Sequence, residues 1–356
     1  MQEDQVGPKG IDTMDHHKGW RIFLAQSILP EGREILETVG VVRENPIGRP
    51  LTESEMIELA SDSDAFVSTF AEPNRVFSAR VIEASKNLKV IGWCGVGFDH
   101  IDLDAATARG IYVTYVDVQC PTVADQALAL ILCAAKRILP AYQAVRAGRW
   151  EKEGIFLNLN FLGHDVHHKT VGIAGLGRIG GGVAKRCKGF DMRVLYYDQV
   201  RRNDLENELG VEPVPFEGLL RESDYICCCL PLTTHTNRIF DGHAFRLMKP
   251  TCIFVNVSRG VCVDTTALYD ALRTRQIEMA ALDVIDPEPF PSDHPILTLD
   301  NLILVPHIAG LTLETRSRQH IWVAEDTVRV LNGFRPLKLL NPDVEAVRPL
   351  LEEPNT

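Results

Sequence analysis

No CxxC pair occurs among the nine cysteines, their number is odd, and they form no regular framework. Zinc-finger and disulfide-scaffold readings are thereby excluded. Cys227, Cys228 and Cys229 stand consecutively in an apolar run. Neighbouring side chains on a strand point to opposite faces, so these three do not make a ladder of bridges. They are expected to pack as small hydrophobes in a reducing, cytoplasmic compartment. No apolar run approaches the roughly 18–20 residues that span a bilayer, so no membrane partner is expected. The opening MQEDQVGPKGIDTMDHHKG lacks an apolar h-region and is not rich in arginine, so residues 1–19 read as a loose tail without a targeting signal. Positive charge is also short: 37 Lys and Arg face 48 Asp and Glu, a net charge of −11. An acidic surface repels phosphate backbones, so no nucleic-acid partner is expected. No internal repeat of fixed period is visible.

What is present is ordinary globular chain, 45% hydrophobic and 24% charged, which argues against disorder and low complexity. At about 150 residues per domain, 356 residues make two domains. Short β-branched runs recur between helix-length polar stretches: Arg21–Ala25, Ala65–Phe70, Leu88–Trp93, Ile111–Val116, Thr170–Ala174, Arg193–Tyr197, Tyr225–Leu230, Cys252–Val257, Met279–Val284 and Leu302–Val305. Alternation of this kind predicts α/β architecture with parallel sheets covered on both faces. Pro121 suits the first turn of a long helix over PTVADQALALILCAAKRI, and Pro140 is expected to bend or end it. A last helix near Leu313–Leu331 carries Ile321, Val328 and Leu331 on one stripe and stops near Gly333. That helix is expected to return to the first domain. The expected division is thus 20–118 with 312–345 as one domain, 119–311 inserted as the other, and 346–356 as a tail.

The sharpest local signal is Thr170-Val-Gly-Ile-Ala-Gly175-Leu-Gly177-Arg-Ile-Gly180, a GxGxxG turn after one strand and opening a helix. Gly175 allows the tight turn, Gly177 lets a pyrophosphate approach the backbone, and Gly180 lets helix pack on strand. Free N–H groups and the positive end of the helix dipole then face the phosphates. Asp198 ends the next strand and is placed to accept hydrogen bonds from the adenosine ribose, which favours NAD over NADP. Arg201 and Arg202 follow it and soften that preference.

Three polar residues follow later strands: Arg259 in Asn256-Val-Ser-Arg-Gly, Glu288 in Asp283-Val-Ile-Asp-Pro-Glu-Pro, and His307 in Val305-Pro-His-Ile-Ala-Gly. Ligands bind beyond the carboxyl ends of parallel strands, so these three are expected to share one cleft. Singly each has a bland reading as ion pair, loop residue or core histidine. Together, beyond a dinucleotide turn, they point to chemistry. Arginine offers permanently charged, forked donors for a carboxylate and a carbonyl oxygen. Histidine gives up a proton near neutrality, and a carboxylate beside it favours its charged, proton-donating form.

These motifs, with Gly95-Val-Gly-Phe-Asp-His-Ile-Asp102 and Val257-Ser-Arg-Gly-Val-Cys-Val-Asp264, resemble the D-isomer-specific 2-hydroxyacid dehydrogenase family over about residues 20–345. The resemblance implies a Rossmann NAD-binding domain inserted into a flavodoxin-like substrate domain. It implies an NAD-dependent interconversion of a 2-keto acid and a D-2-hydroxy acid, of the glyoxylate or hydroxypyruvate reductase kind. The catalytic residues it implies are Arg259, Glu288 and His307. Gly95, Val96 and Gly97, with Arg259, would hold the substrate carboxylate. The cofactor would meet Val96, Thr122, Gly175, Gly177, Arg178, Ile179, Gly180, Asp198, Leu230, Val257, Arg259, Asp283, His307 and Gly310. A homodimer paired through 119–165 is implied as well, and the arm there gathers Trp150, Ile155, Phe156, Leu157 and Phe161.

The chain departs from the family pattern at Tyr115 and Val116, where Asn-Thr is usual, and at Asp125, where Glu is commoner. Formate dehydrogenases have Gln at the position of Glu288, phosphite dehydrogenases Lys at that of Val96, and the long phosphoglycerate dehydrogenases a further C-terminal domain. No metal is expected: His164, His167 and His168 have helical ligand spacing but lie in a turn before a strand. A reading of another class is an NAD-sensing corepressor with little turnover; the intact Arg259, Glu288 and His307 favour an enzyme.

Overall fold

The computed structural model describes residues 19–69 and 77–352. The expected tail falls outside these residues except for Gly19. The chain divides into two compact units, one of residues up to Val116 together with those from Gln319, the other Asp117–Arg318. The expected crossings lay at 118/119 and 311/312; the second division falls seven residues later, inside the helix Leu313–Leu331.

The first unit holds β1 (Trp20–Leu24), β2 (Gly40–Glu44), β3 (Ala65–Ser68), β4 (Val90–Trp93) and β5 (Tyr112–Tyr115). They form one sheet in the order β2-β1-β3-β4-β5, every pair parallel. This is the flavodoxin-like order. β3 and β4 are buried along their whole length, as parallel strands covered on both faces must be. β2, absent from the expectation, is an edge strand of half-buried and exposed residues, GVVRE, too polar to read as a buried run.

The last helix spans Leu313–Leu331 as expected, but its stripe differs. Val323, Ala324, Thr327, Val328, Val330 and Leu331 are buried, while Ile321 is only half-buried. Thr327 Oγ1 and Val323 press so closely on Gly92 that a Cβ there would meet them at 2.5 and 2.9 Å. The segment from 346, expected as a tail, is tied down as far as the described residues run. Tyr112 donates its hydroxyl to the Arg348 carbonyl, and Leu351 bridges to Phe334.

The second unit holds β6 (Thr170–Ala174), β7 (Arg193–Tyr197), β8 (Glu212–Pro213), β9 (Tyr225–Cys228), β10 (Ile253–Asn256), β11 (Met279–Leu282) and β12 (Leu302–Leu304). The sheet order is β12-β11-β10-β9-β6-β7-β8, all parallel. Counted from β6 this is the doubly wound dinucleotide order with a seventh strand added. Alternation along each strand sorts the core into two clusters. Val171, Ile173, Tyr225, Cys227 and Val255 pack with Ala124, Ile131 and Val183. Ile226, Cys228, Phe254 and Leu282 pack with Leu219, Phe245 and Leu268. Each fully buried large side chain contributes about 1.5–3 kcal/mol. The nine cysteines are free thiols.

Pro121 sits in the first turn of the helix Cys120–Ala135, as expected. The break after it is not at Pro140. Arg137 adopts φ 51, and a new helix runs Ile138–Arg146 with Pro140 in its first turn, where its missing N–H costs nothing. The end carbonyl of Ala135 accepts from His164 N, at an approach that leaves a Cβ at Gly163 only 2.1 Å from that oxygen. Among the described residues no single helix is long and apolar enough to cross a membrane.

One half-buried carboxyl gives a test of this packing. Burial, with Asp326 beside it, pushes the Glu325 carboxyl from about 4.5 up to about 7, and its Oε2 is buried without a hydrogen-bond partner. The unfolded chain therefore loses this proton first. Stability falls as pH rises from the unfolded to the folded value, and the deficit is complete above it. Glu325→Gln should raise Tm at about pH 8 by a few degrees and leave it nearly unchanged at about pH 4. Equal shifts at both pH values in differential scanning calorimetry would refute this.

Candidate active site

The glycine-rich turn follows β6. Gly175 has φ +94, and a Cβ there would lie 2.8 Å from the Cys229 carbonyl carbon and the Leu230 nitrogen, so only glycine fits. A Cβ on Gly180 would come within 1.9 Å of the Gly175 oxygen; its absence lets the helix Arg178–Lys188 close on the strand. At Gly177 a Cβ would meet nothing within 4 Å. Open space thus faces the first turn of that helix, whose N–H groups have no intrahelical acceptor. Such a cradle fits the pyrophosphate of a dinucleotide.

Asp198 follows β7 directly and is more than a ribose contact. Its Oδ2 accepts from Leu176 N at 2.7 Å and its Oδ1 from Val200 N at 3.1 Å, so it anchors the turn itself. The two arginines beyond it are engaged. Arg201 pairs with Glu206 at 2.9 Å, and Arg202 holds Asp204 at 2.7 Å and the Leu176 carbonyl at 2.6 Å. Arg178, in the first turn of the helix, pairs through Nε with Asp117 at 3.2 Å. Ile179 packs against the core. Thr122 shares a hydroxyl contact of 2.7 Å with Thr315. Leu230 and Val257 are buried, and Leu230 presents its carbonyl to Ser258 Oγ at 2.7 Å. Gly310 lies against Gln119.

Arg259, Glu288 and His307 stand in the loops after β10, β11 and β12, three neighbouring strands. Their loops are locked together. A Cβ on Gly260 would lie 2.2 Å from the Ile285 carbonyl carbon, so the Arg259 loop and the Ile285 loop touch backbone to backbone. Glu288 Oε1 accepts from Ile285 N at 3.1 Å, and Oε2 lies 3.0 Å from His307 Nδ1. With Nδ1–H donating to that carboxylate, the assigned tautomer leaves Nε2 for other partners. The Arg259 main chain is held by Asn256 Nδ2, which donates to its carbonyl at 3.0 Å.

Sequence reasoning gave Asp283 to the cofactor and missed a second task. Its side chain is 2% exposed, and both carboxylate oxygens are taken by backbone N–H groups: Ile308 N at 2.9 Å and Ala309 N at 3.2 Å. Its carbonyl accepts from His307 N at 2.9 Å. His307 has φ +52, a left-handed conformation that residues with a Cβ avoid. Burial pushes the Asp283 carboxyl above the ordinary carboxylate range, while the two N–H donors and His307 pull it back. Nothing in a one-dimensional motif signals such a clamp. Asp264, part of the quoted motif, is an N-cap, accepting from Thr266 N and Ala267 N at 3.0 Å. In the other unit, Gly95, Val96 and Gly97 follow β4. Among the described residues no group of three His, Cys, Asp or Glu is placed to hold a metal.

The family model of the D-isomer specific 2-hydroxyacid dehydrogenase NAD binding domain matches residues 128–309, just over half of the chain. This chain belongs to that family. A glyoxylate reductase of Korarchaeum cryptofilum is 46% identical over 301 residues, covering 84% of this chain and 89% of that one. A glyoxylate reductase of Pyrococcus furiosus is 38% identical over 330 residues, covering 92% and 97%. An NADPH-dependent glyoxylate/hydroxypyruvate reductase of Sinorhizobium meliloti, solved with NADP and malonate, superposes with TM-score 0.79 at 27% identity, covering 94% and 99%. The family member is thus an NAD(P)-dependent oxidoreductase of 2-hydroxy acids, and these relatives lend nothing to a corepressor reading. Its second unit is the nicotinamide-dinucleotide domain.

The Asp283 clamp is directly testable. Asparagine offers one acceptor oxygen to two N–H donors and aims an NH2 at the other. Asp283→Asn should lower Tm by about 2–10 °C, from about 1–3 kcal/mol for an orphaned buried donor. An unshifted melt would show that the clamp holds nothing.

Proposed function

We propose that this chain reduces a small 2-keto acid of the glyoxylate or hydroxypyruvate type to the D-2-hydroxy acid with NADH. The observation that carries the reading is the His307 Nδ1–Glu288 Oε2 contact of 3.0 Å on a turn clamped by Asp283. The two curated relatives compared above are named glyoxylate reductases, which supports this substrate class. When bound, the nicotinamide supplies the hydride. Arg259 binds the substrate carboxylate and polarises the carbonyl oxygen. In the first unit, the N–H groups of Gly95–Gly97 are read as donors to a carboxylate. His307 Nε2 gives a proton to the carbonyl oxygen, and in oxidation takes it back. Glu288 fixes the ring through Nδ1, which leaves Nε2 to face the reacting oxygen. His307 is 43% and Glu288 33% exposed, so their pairing adds little to stability and is read as orientation. The dinucleotide rests on Gly175, Gly177, Arg178, Ile179 and Gly180, with Thr122, Leu230, Val257, Asp283 and Gly310 along its length.

Residue roles separate by kinetics. Arg259→Ala should raise KM and lower kcat together while NADH binding survives, and Arg259→Lys should recover only part. His307→Ala should cut kcat by about 10²–10⁴-fold with a smaller change in KM. Glu288→Ala, which frees the imidazole ring to turn, should lower kcat with a smaller change in KM. Near-normal kcat in His307→Ala with glyoxylate and NADH would sink the assignment.

Asp198 should make NADH the better cofactor, since its carboxylate repels a 2′-phosphate and both nearby arginines are held in ion pairs. Asp198→Ala should narrow the gap. It should also weaken NADH binding by freeing Leu176 N. Equal kcat/KM for NADH and NADPH in the unmodified protein would overturn this.

The chain is also read as a homodimer of the cytoplasm. Tyr142, Trp150, Phe156, Leu159 and Leu162 are exposed within one stretch, Phe156 by 76%. That is more apolar surface than a monomer usually leaves bare. The side chains of Ile155 and Leu157 lie outside the described ones. Nine unbridged thiols fit a reducing compartment. Light scattering should give twice 39.7 kDa; a mass of one chain at micromolar concentration would contradict the pairing.

A further inference from the structure

The floor of the Gly95–Gly97 segment is an indole. Trp93 ends β4 and is 2% exposed. A Cβ built on Gly95 would stand 2.7 Å from its Nε1 and 2.8 Å from both Cε2 and Cζ2. These are contiguous atoms of a rigid ring, so the Gly95 main chain lies directly on the indole with no room for a side chain. His100, further along the same loop and 6% exposed, sets its ring edge-on to the Trp93 ring at 4.2 Å between centroids. Both ends of the turn therefore rest on one side chain. Cys94, between Trp93 and Gly95, is fixed by N–H donation to the Ser68 carbonyl at 2.9 Å. The Trp93 indole N–H is buried and finds no acceptor among the described residues, a cost that packing alone does not require of an aromatic at this position.

We infer that Trp93 is a positioning residue for the substrate carboxylate: its indole sets the height of the Gly95–Gly97 main chain, and Gly95 is glycine because that indole is there. The inference rests on the reading that this segment receives the carboxylate. Backbone N–H groups act through geometry, and a displacement of a few tenths of an ångström weakens each hydrogen bond they make. The effect belongs to substrate binding. The proton donor and the dinucleotide turn stand on other loops of the other unit.

A double-variant cycle tests it. Gly95→Ala drives a methyl into the indole and should raise KM for glyoxylate about tenfold or more, the usual scale of overpacking. Trp93→Phe removes Nε1, Cε2 and Cζ2, lowers the floor, and should raise KM several-fold with kcat and NADH affinity within about threefold. The double variant Gly95→Ala/Trp93→Phe should recover most of the Gly95→Ala loss, because the added methyl fills the space the indole leaves. A second readout does not depend on turnover. Oxamate, a carboxylate-bearing 2-keto acid analogue, should change tryptophan emission of the NADH-bound protein, and Trp93→Phe should lose most of that change. Additive KM effects in the double variant, or an oxamate response that persists in Trp93→Phe, would overturn the inference. If Arg259→Ala instead leaves KM untouched, the carboxylate reading itself fails, which the cycle would report separately.

Discussion

The structure turns on the carboxylate of Asp283. Two backbone N–H groups after His307 donate to it, and His307 N donates to its carbonyl, so the end of β11 dictates the path of the chain after β12. Holding a non-glycine residue at positive φ costs about 1–3 kcal/mol. Two hydrogen bonds to a carboxylate are worth about 1.5–3 kcal/mol each. The clamp therefore outweighs the strain, and His307 stays where Glu288 reaches its Nδ1. For the proton donor proposed above, this placement matters more than the Glu288 contact, which is too exposed to contribute much stability.

Around that clamp, glycine does the work of close approach. Gly260 brings the Arg259 loop onto Ile285, whose N–H the same Glu288 holds; Gly180 brings the nucleotide helix onto Gly175. In each case the contact is backbone on backbone, and a single methyl would push apart two loops that must act together. The order of neighbouring strands, β12-β11-β10-β9-β6-β7, then lines up His307, Glu288, Arg259, Leu230, the glycine turn and Asp198 in a row of strand ends. The doubly wound order places its ligand crevice where that sequence of strands reverses, between β9 and β6.

Much of this row was legible in the residues, because buried parallel strands are written as short apolar runs and the GxGxxG spacing has a geometric reason at each glycine. β6 and β7 begin and end as their sequences suggest. What escaped reading has local causes. β2 and β8 lie at sheet edges, where half the residues face water and no apolar run marks them. The helix break falls at Arg137, not Pro140, because proline is harmless in a first turn while a left-handed arginine carries no sequence signature. The second roles of Asp283 and Asp198, as anchors of turns, and the indole under Gly95 arise from residues brought together by tertiary packing. One-dimensional spacing does not record them.

The central claim is that His307 passes the proton while Arg259 holds the acid. Chemical rescue addresses it most directly. In His307→Ala, added imidazole should restore glyoxylate reduction in a saturable way, tracking the protonated fraction of the imidazole itself, and should do nothing for Arg259→Ala. Failure of imidazole and of smaller amine acids to restore any rate in a folded, NADH-binding His307→Ala protein would contradict the account.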